Sequence, residues 1–222
     1  LTCDKDISKT NLDGISITAH GDIHSHEEIC KQNIQILNQD VTHNPDNTHS
    51  WFYLAENYSY LQMWDEAIAA YKSRIAVGNK DQENYYYSLY KLGCCLMQSM
   101  KELKDEAKKV EEANKICEPT KRKEVKDVLD LWYYLGPLLE ANEHRPHRLE
   151  AIYEVIKFCR EIGNYNLGYE MGNLVLDRLH TTIKDIELAQ QPKDTLFVHK
   201  AIHEWMIWDE IAICAYYVGQ YQ

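Results

Sequence analysis

Between residues 51 and 71, large and small side chains fall at intervals that suit a pair of helices. Trp51, Leu54, Ala55 and Tyr58 recur at steps of three and four, and Trp64, Ala67 and Tyr71 do the same after a short break. Such steps place each set on one stripe of a helix with about 3.6 residues per turn. The bulky residues fill the space between the two helices, while Ala55 and Ala67 sit where the backbones must come close. One pair cannot bury its apolar face alone, so the spacing predicts neighbouring pairs of the same kind. A stack of pairs presents a binding surface and supplies no chemistry of its own.

Written as W-x2-L-(small)-x2-Y…A-x3-Y, the spacing resembles the tetratricopeptide repeat. That resemblance implies an all-α fold of antiparallel helix pairs, an α-solenoid, with a short irregular or strand-like N-terminal remnant. The rest of the chain supplies looser copies. Ile29, Cys30, Ile34 and Leu37 mark a helix opening at Glu27, and Asp46, Asn47 or Thr48 is placed to cap the next one. The Tyr-rich run 85–90 begins a helix reaching about Ser99, and the charged stretch 101–117 reads as a separate exposed helix. Residues 123–143 read as a helix broken or bent at Pro137. The stretches 148–161 and 165–179 form another pair, divided by Gly163-Asn164-Tyr165, and a final helix spans 199–218. Pairs are thus expected near 48, 82, 149 and 205, in a degenerate repeat domain over residues 27–222.

The 222 residues carry a net charge of −11, which argues against nucleic acid or an anionic membrane as partner. No apolar run approaches the ~20 residues of a membrane span. The 7 cysteines are scattered without a C-x-x-C, which suits buried thiols in a reducing compartment, here the cytoplasm. The chain opens on Leu1 and stops at Gln222, where a further helix is expected to begin, so flanking sequence is expected on both sides.

More specific strings join the repeat pattern. They are Leu12-Asp13-Gly14 with Ala19-His20-Gly21-Asp22, Trp51-Phe52-Tyr53-Leu54-Ala55-Glu56-Asn57-Tyr58, Tyr71-Lys72-Ser73-Arg74 with Gly78 and Tyr86–Tyr90, Arg145-Pro146-His147-Arg148-Leu149-Glu150-Ala151, and Thr195-Leu196-Phe197-Val198 followed by Asp209-Glu210. Together they resemble the end of the catalytic domain and the helical tail of certain family 2 glycosyltransferases. The resemblance implies that residues 1–26 are a remnant of that catalytic domain. It also implies a parent enzyme that uses a nucleotide-sugar and a divalent metal, both bound upstream of Leu1. In this segment no cofactor is expected, and the segment alone is expected to be inactive. Departures lie at Ile23-His24-Ser25-His26 and in the expanded stretch 101–130.

Candidate sites follow from residue type and placement. His20 and Asp22 would border the donor site of the parent enzyme; His20, Asp22, His24 and His26 could otherwise ligate a transition ion, or form a plain polar turn. Asp4-Lys5-Asp6 has the D-x-D form without an apolar strand before it, and reads as a solvated loop. Arg145, His147 and Arg148 form a basic cluster, either an anion-binding site or one offset by Glu143, Glu150 or Glu154. Phe52, Glu56 and Tyr60 lie four apart on one helix face, and Tyr87, Lys91, Tyr153, Lys157 and Asp209 hold similar positions on later helices. These would line a groove for a peptide or protein, unless the irregular segments cover it. No G-x-S-x-G, P-loop or H-E-x-x-H occurs. Two roles remain: a non-catalytic scaffold of a glycosyltransferase, which docks protein partners or self-associates, and a freestanding adaptor with a peptide-binding groove.

Overall fold

The computed structural model describes residues 26–80, 82–114, 131–184, 194 and 196–220. Among these residues the fold is all-α, with helices α1 (His26–His43), α2 (Thr48–Tyr60), α3 (Trp64–Val77), α4 (Glu83–Asn114), α5 (Leu131–His144), α6 (Glu150–Glu161), α7 (Tyr165–Lys184) and α8 (Ile207–Tyr217). A π-helical turn, Ile202–Met206, leads directly into α8. Of the expected remnant 1–26, only His26 is described, and it opens α1; His20, Asp22, His24 and Asp4-Lys5-Asp6 lie outside the described residues.

Each helix packs on the next in sequence, and α2, α4, α6 and α8 also pack in succession on one another. The even helices therefore form an inner layer. Leu54, Ala55, Ala67, Ala70 and Tyr71 anchor a front core between α2, α3 and α4. Ala55 and Ala67 are fully buried, so the close approach read from their size is present. A second core, with Tyr86, Leu138, Ile152, Ile156, Ile207 and Cys214, joins α4 to α8. Gly93 permits the α4–α5 crossing, because a β-carbon there would lie 2.4 Å from Leu138 Cγ.

Three inner helices end alike. After α2, α6 and α8 the chain turns left-handed at Gln62 (φ 59), Gly163 (φ 77) and Gly219 (φ 76). In each case that residue's N–H donates to the carbonyl three back, and the next N–H donates to the carbonyl five back: Gln62 to Ser59 and Met63 to Tyr58, Gly163 to Arg160 and Asn164 to Cys159, Gly219 to Tyr216 and Gln220 to Ala215. This is the Schellman cap, which satisfies carbonyls that a helix end leaves open. At the start of α2, Asn47 takes the capping role through N–H donors of His49 and Ser50.

Expectations about helix limits change at three places. The helices expected at 82–99 and 101–117 are one, since α4 runs unbroken from Glu83 to Asn114. Nothing in 99–101 is a helix breaker, and the switch from apolar to charged residues alters exposure without altering backbone preference. At Pro137, where a break or a bend is expected, the break is ruled out, because α5 continues through that residue. Residues 145–149 form a loop, and α6 starts at Glu150 rather than Arg148.

Candidate functional site

Arg148 is the centre of the most polar region of the interior, with its side chain only 2 % exposed. The loop between α5 and α6 delivers it, and its planar guanidinium forks onto the first carboxylate of α6. Nε and Nη2 donate to Glu150 at 3.0 and 3.1 Å. Nη1 donates to Glu83 at the start of α4, at 3.0 Å. The face of the ion lies 4.7 Å from the centre of the Tyr86 ring. A buried cation is costly unless paired and hydrogen-bonded, and here every edge is engaged. Burial alone would lower the Arg148 pKa, but Glu150 outweighs it and raises the value. Burial alone would raise Glu150; donors from His203, Arg148 and the His199 backbone outweigh that and hold it down at about 2.

Asp194 and the non-helical residues 196–199, together the strap that precedes the π turn, complete the network. Asp194 accepts from Arg145 Nη1 at 2.5 Å and pairs with His147 Nε2 at 2.9 Å. The Leu196 N–H donates to Glu83 at 2.6 Å, and the His199 N–H donates to Glu150 at 3.1 Å. Arg148 donates in return to the carbonyls of Leu196 (3.2 Å) and Phe197 (3.5 Å). The Phe197 ring stacks on Tyr87 with centroids 4.4 Å apart and lies 6.2 Å from Phe52. Phe197 holds φ 53, a left-handed conformation that side chains with a β-carbon rarely adopt.

The structure thus gathers Phe52, Tyr87 and Lys91, whose ammonium lies 5.9 Å from the Tyr87 ring centre. It also gathers Arg145, His147 and Arg148. The expectation that Phe52 lines an open groove is corrected: it is 2 % exposed, because Tyr87 and the strap residue Phe197 cover it. Tyr153 is likewise buried, as part of the back core. Glu56 is engaged by the Tyr71 hydroxyl, which donates to it. Tyr60 is exposed and meets the His26 ring at 4.3 Å. Asp209 points outward, and its neighbour Glu210 faces α6, where it holds Arg160. An anion site at Arg145, His147 and Arg148 is corrected to an internal one: the anions they bind are Asp194, Glu150 and Glu83.

Further along the α4–α6 seam, Cys94, Met97, Gln98, Lys101, Glu154 and Lys157 border a recess of roughly 120 Å³. Lys157 pairs with Glu154 at 3.4 Å, and Lys101 with Glu161 at 2.8 Å. Burial pushes the Glu154 carboxyl and the Cys94 thiol up, so neither is an activated nucleophile. Among the described residues no group of three or more His, Cys, Asp or Glu is placed to hold a metal, and no helix is long and apolar enough to cross a membrane.

Composition gave no sign of the buried Arg74. Its guanidinium donates to the Gly78 carbonyl (2.6 Å), Gln82 (3.2 Å) and Asn84 (2.6 Å) and packs on Tyr85. A Tyr-x-x-Arg…Gly string marked the position, but nothing in it pointed to a fully enclosed cation. No protein-family model matches the chain, and a search among curated proteins finds no match.

Proposed function

We propose that this chain is a tetratricopeptide-like helical-repeat region with no catalytic centre, which holds polypeptide against its inner layer. The observation that carries this reading is the strap. A non-helical segment lies over α2, α4 and α6 and is held by main-chain hydrogen bonds to Glu83, Glu150 and Arg148 and by an aromatic stack on Tyr87. Carboxylates and guanidinium groups that grip main-chain N–H and C=O groups recognise a polypeptide as such, with a ring slot adding selectivity. Support for the repeat comes from the successive packing of even helices and from the cap geometry shared by three of them.

As the resemblance implies, the region serves as the scaffold of a nucleotide-sugar-dependent glycosyltransferase. The observation that favours this over a freestanding adaptor is that its most specific string, Arg145–Ala151, coincides with the loop that carries the buried Arg148 network. The reading is tested by displaying random peptides against the chain. Selected peptides should bind at micromolar affinity and weaken at least tenfold in Tyr87→Ala. Recovery of no peptide, or turnover of UDP- or GDP-sugars by the chain alone, overturns it.

A further inference from the structure

The strap leaves a record of the ligand that its seat accepts. Its first anchor is a carboxylate, Asp194, seated between Arg145 and His147 at 2.5 and 2.9 Å. Three residues on, Phe197 lays its ring on Tyr87. Between and beyond these, the N–H groups of Leu196 and His199 and the carbonyls of Leu196 and Phe197 meet Glu83, Glu150 and Arg148. The deep part of the seat, Arg148 and Glu150, is buried, as is Asp194 between its two basic partners, whereas Phe197 is 48 % exposed and His199 is exposed.

The strap is also not an ideal occupant. Phe197 stands at φ 53, where a residue with a β-carbon is strained. It is kept there because its ring, its carbonyl and the neighbouring N–H groups are all engaged at once. A free peptide offering the same groups must take the same turn to make the contacts, so it carries the same cost. The strap's advantage is that it is tethered, which sets a high effective concentration against any competitor.

We propose that the strap is an internal stand-in for a peptide ligand, and that the seat takes partner segments of the form Asp-x-(apolar)-aromatic in place of Asp194, Leu196 and Phe197. The charge fits: the Arg145–His147 end requires an acid in the first position, and Tyr87 is the face on which the ring stacks. This rests on the reading of the inner layer as a polypeptide-binding surface.

The test uses a capped, fluorescein-labelled Asp-Thr-Leu-Phe-Val-His peptide and the whole chain. Binding to the unaltered chain should be weak, because the strap competes. Phe197→Ala removes the ring and its stack on Tyr87, which loosens the strap, and should bind the peptide at least tenfold more tightly. Adding Tyr87→Ala, or replacing the peptide's Asp by Lys, should cancel the gain. Equal affinity for Phe197→Ala and the unaltered chain overturns the proposal. If Phe197→Ala loses its helical circular dichroism, hydrogen exchange on the unaltered chain decides: millimolar peptide should speed exchange at the Leu196 and His199 amides, and unchanged rates overturn it. Display selections rich in basic peptides would leave the recognition reading standing and sink this one; selections that yield nothing sink both.

Discussion

Among the described residues the front and back halves of the molecule each bury one arginine, and both arginines lie against adjacent tyrosines of α4. Arg74 sits 5.6 Å from the Tyr85 ring and Arg148 4.7 Å from the Tyr86 ring. Their partners differ in kind. Arg74 is held by neutral oxygens of Gly78, Gln82 and Asn84, so burial wins and its pKa is lowered. Arg148 is held by two carboxylates, so pairing wins and its pKa is raised. The neutral shell ties α3 to the start of α4 and reaches no further. The charged shell ties together α4, α6 and a strap more than a hundred residues along the chain from Glu83. One type of ion thus serves as a local plug in the front half and as a long-range clasp in the back.

The largest expected effect comes from breaking the clasp. Arg148→Met keeps most of the volume but strands Glu83 and Glu150, and should cost about 3–5 kcal/mol in urea unfolding. A loss near 1 kcal/mol would mean that the carboxylates find other partners. Next comes pH. Glu150 is depressed from 4.5 to about 2, so its contribution is complete above pH 4.5 and disappears as pH falls toward 2. Thermal melts should show a loss on the order of 3 kcal/mol across that window, flattened in Arg148→Met because the carboxyl there loses its counter-ion.

A smaller effect is expected at the front. Arg74→Met takes a donor from three neutral acceptors, of which Gln82 keeps Thr48, and leaves no buried charge, so it should cost about 1–2 kcal/mol with no change in the acid limb. Equal losses for the two substitutions would erase the contrast between the halves. The smallest effect concerns the matching caps. Gln62→Gly should stabilise by up to about 1 kcal/mol and Gly163→Ala destabilise by about the same, since both positions hold positive φ and only one has the residue suited to it. Calorimetric melts that rank the pair the other way would mean that packing, rather than backbone preference, sets these turns.

The helices were legible because burial follows a fixed period: Leu54, Ala55, Ala67 and Tyr71 are buried where the stripe placed them. Limits were less legible at α4, where the loss of apolar residues after Met100 resembled an end. The site was read in fragments. Basic residues at 145–148 stood out in an acidic chain, and Phe52, Tyr87 and Lys91 fell on one face, but their union depends on the strap. Its bonds to Glu83 and Glu150 are made by main-chain N–H groups, which every residue except proline carries, so no side-chain pattern announces them. The separations involved, 113 and 49 residues, carry no local signal.

The π turn at Ile202–Met206 sets the rotational phase of the last helix. In a regular α-helix, five residues advance about 500°, leaving the fifth about 140° out of line with the first. Yet Ile202 and Ile207 are both buried, because a widened turn brings positions five apart onto one side. The spare residue uncouples two alignments: the coil before it answers to His199 and Glu150, and the coil after it to Ile211 and Cys214 against Gly172 and Gly168. Removing one residue here would rewind the coil to an ordinary pitch and swing one of the two sides out of alignment, so length at this point is as constrained as composition.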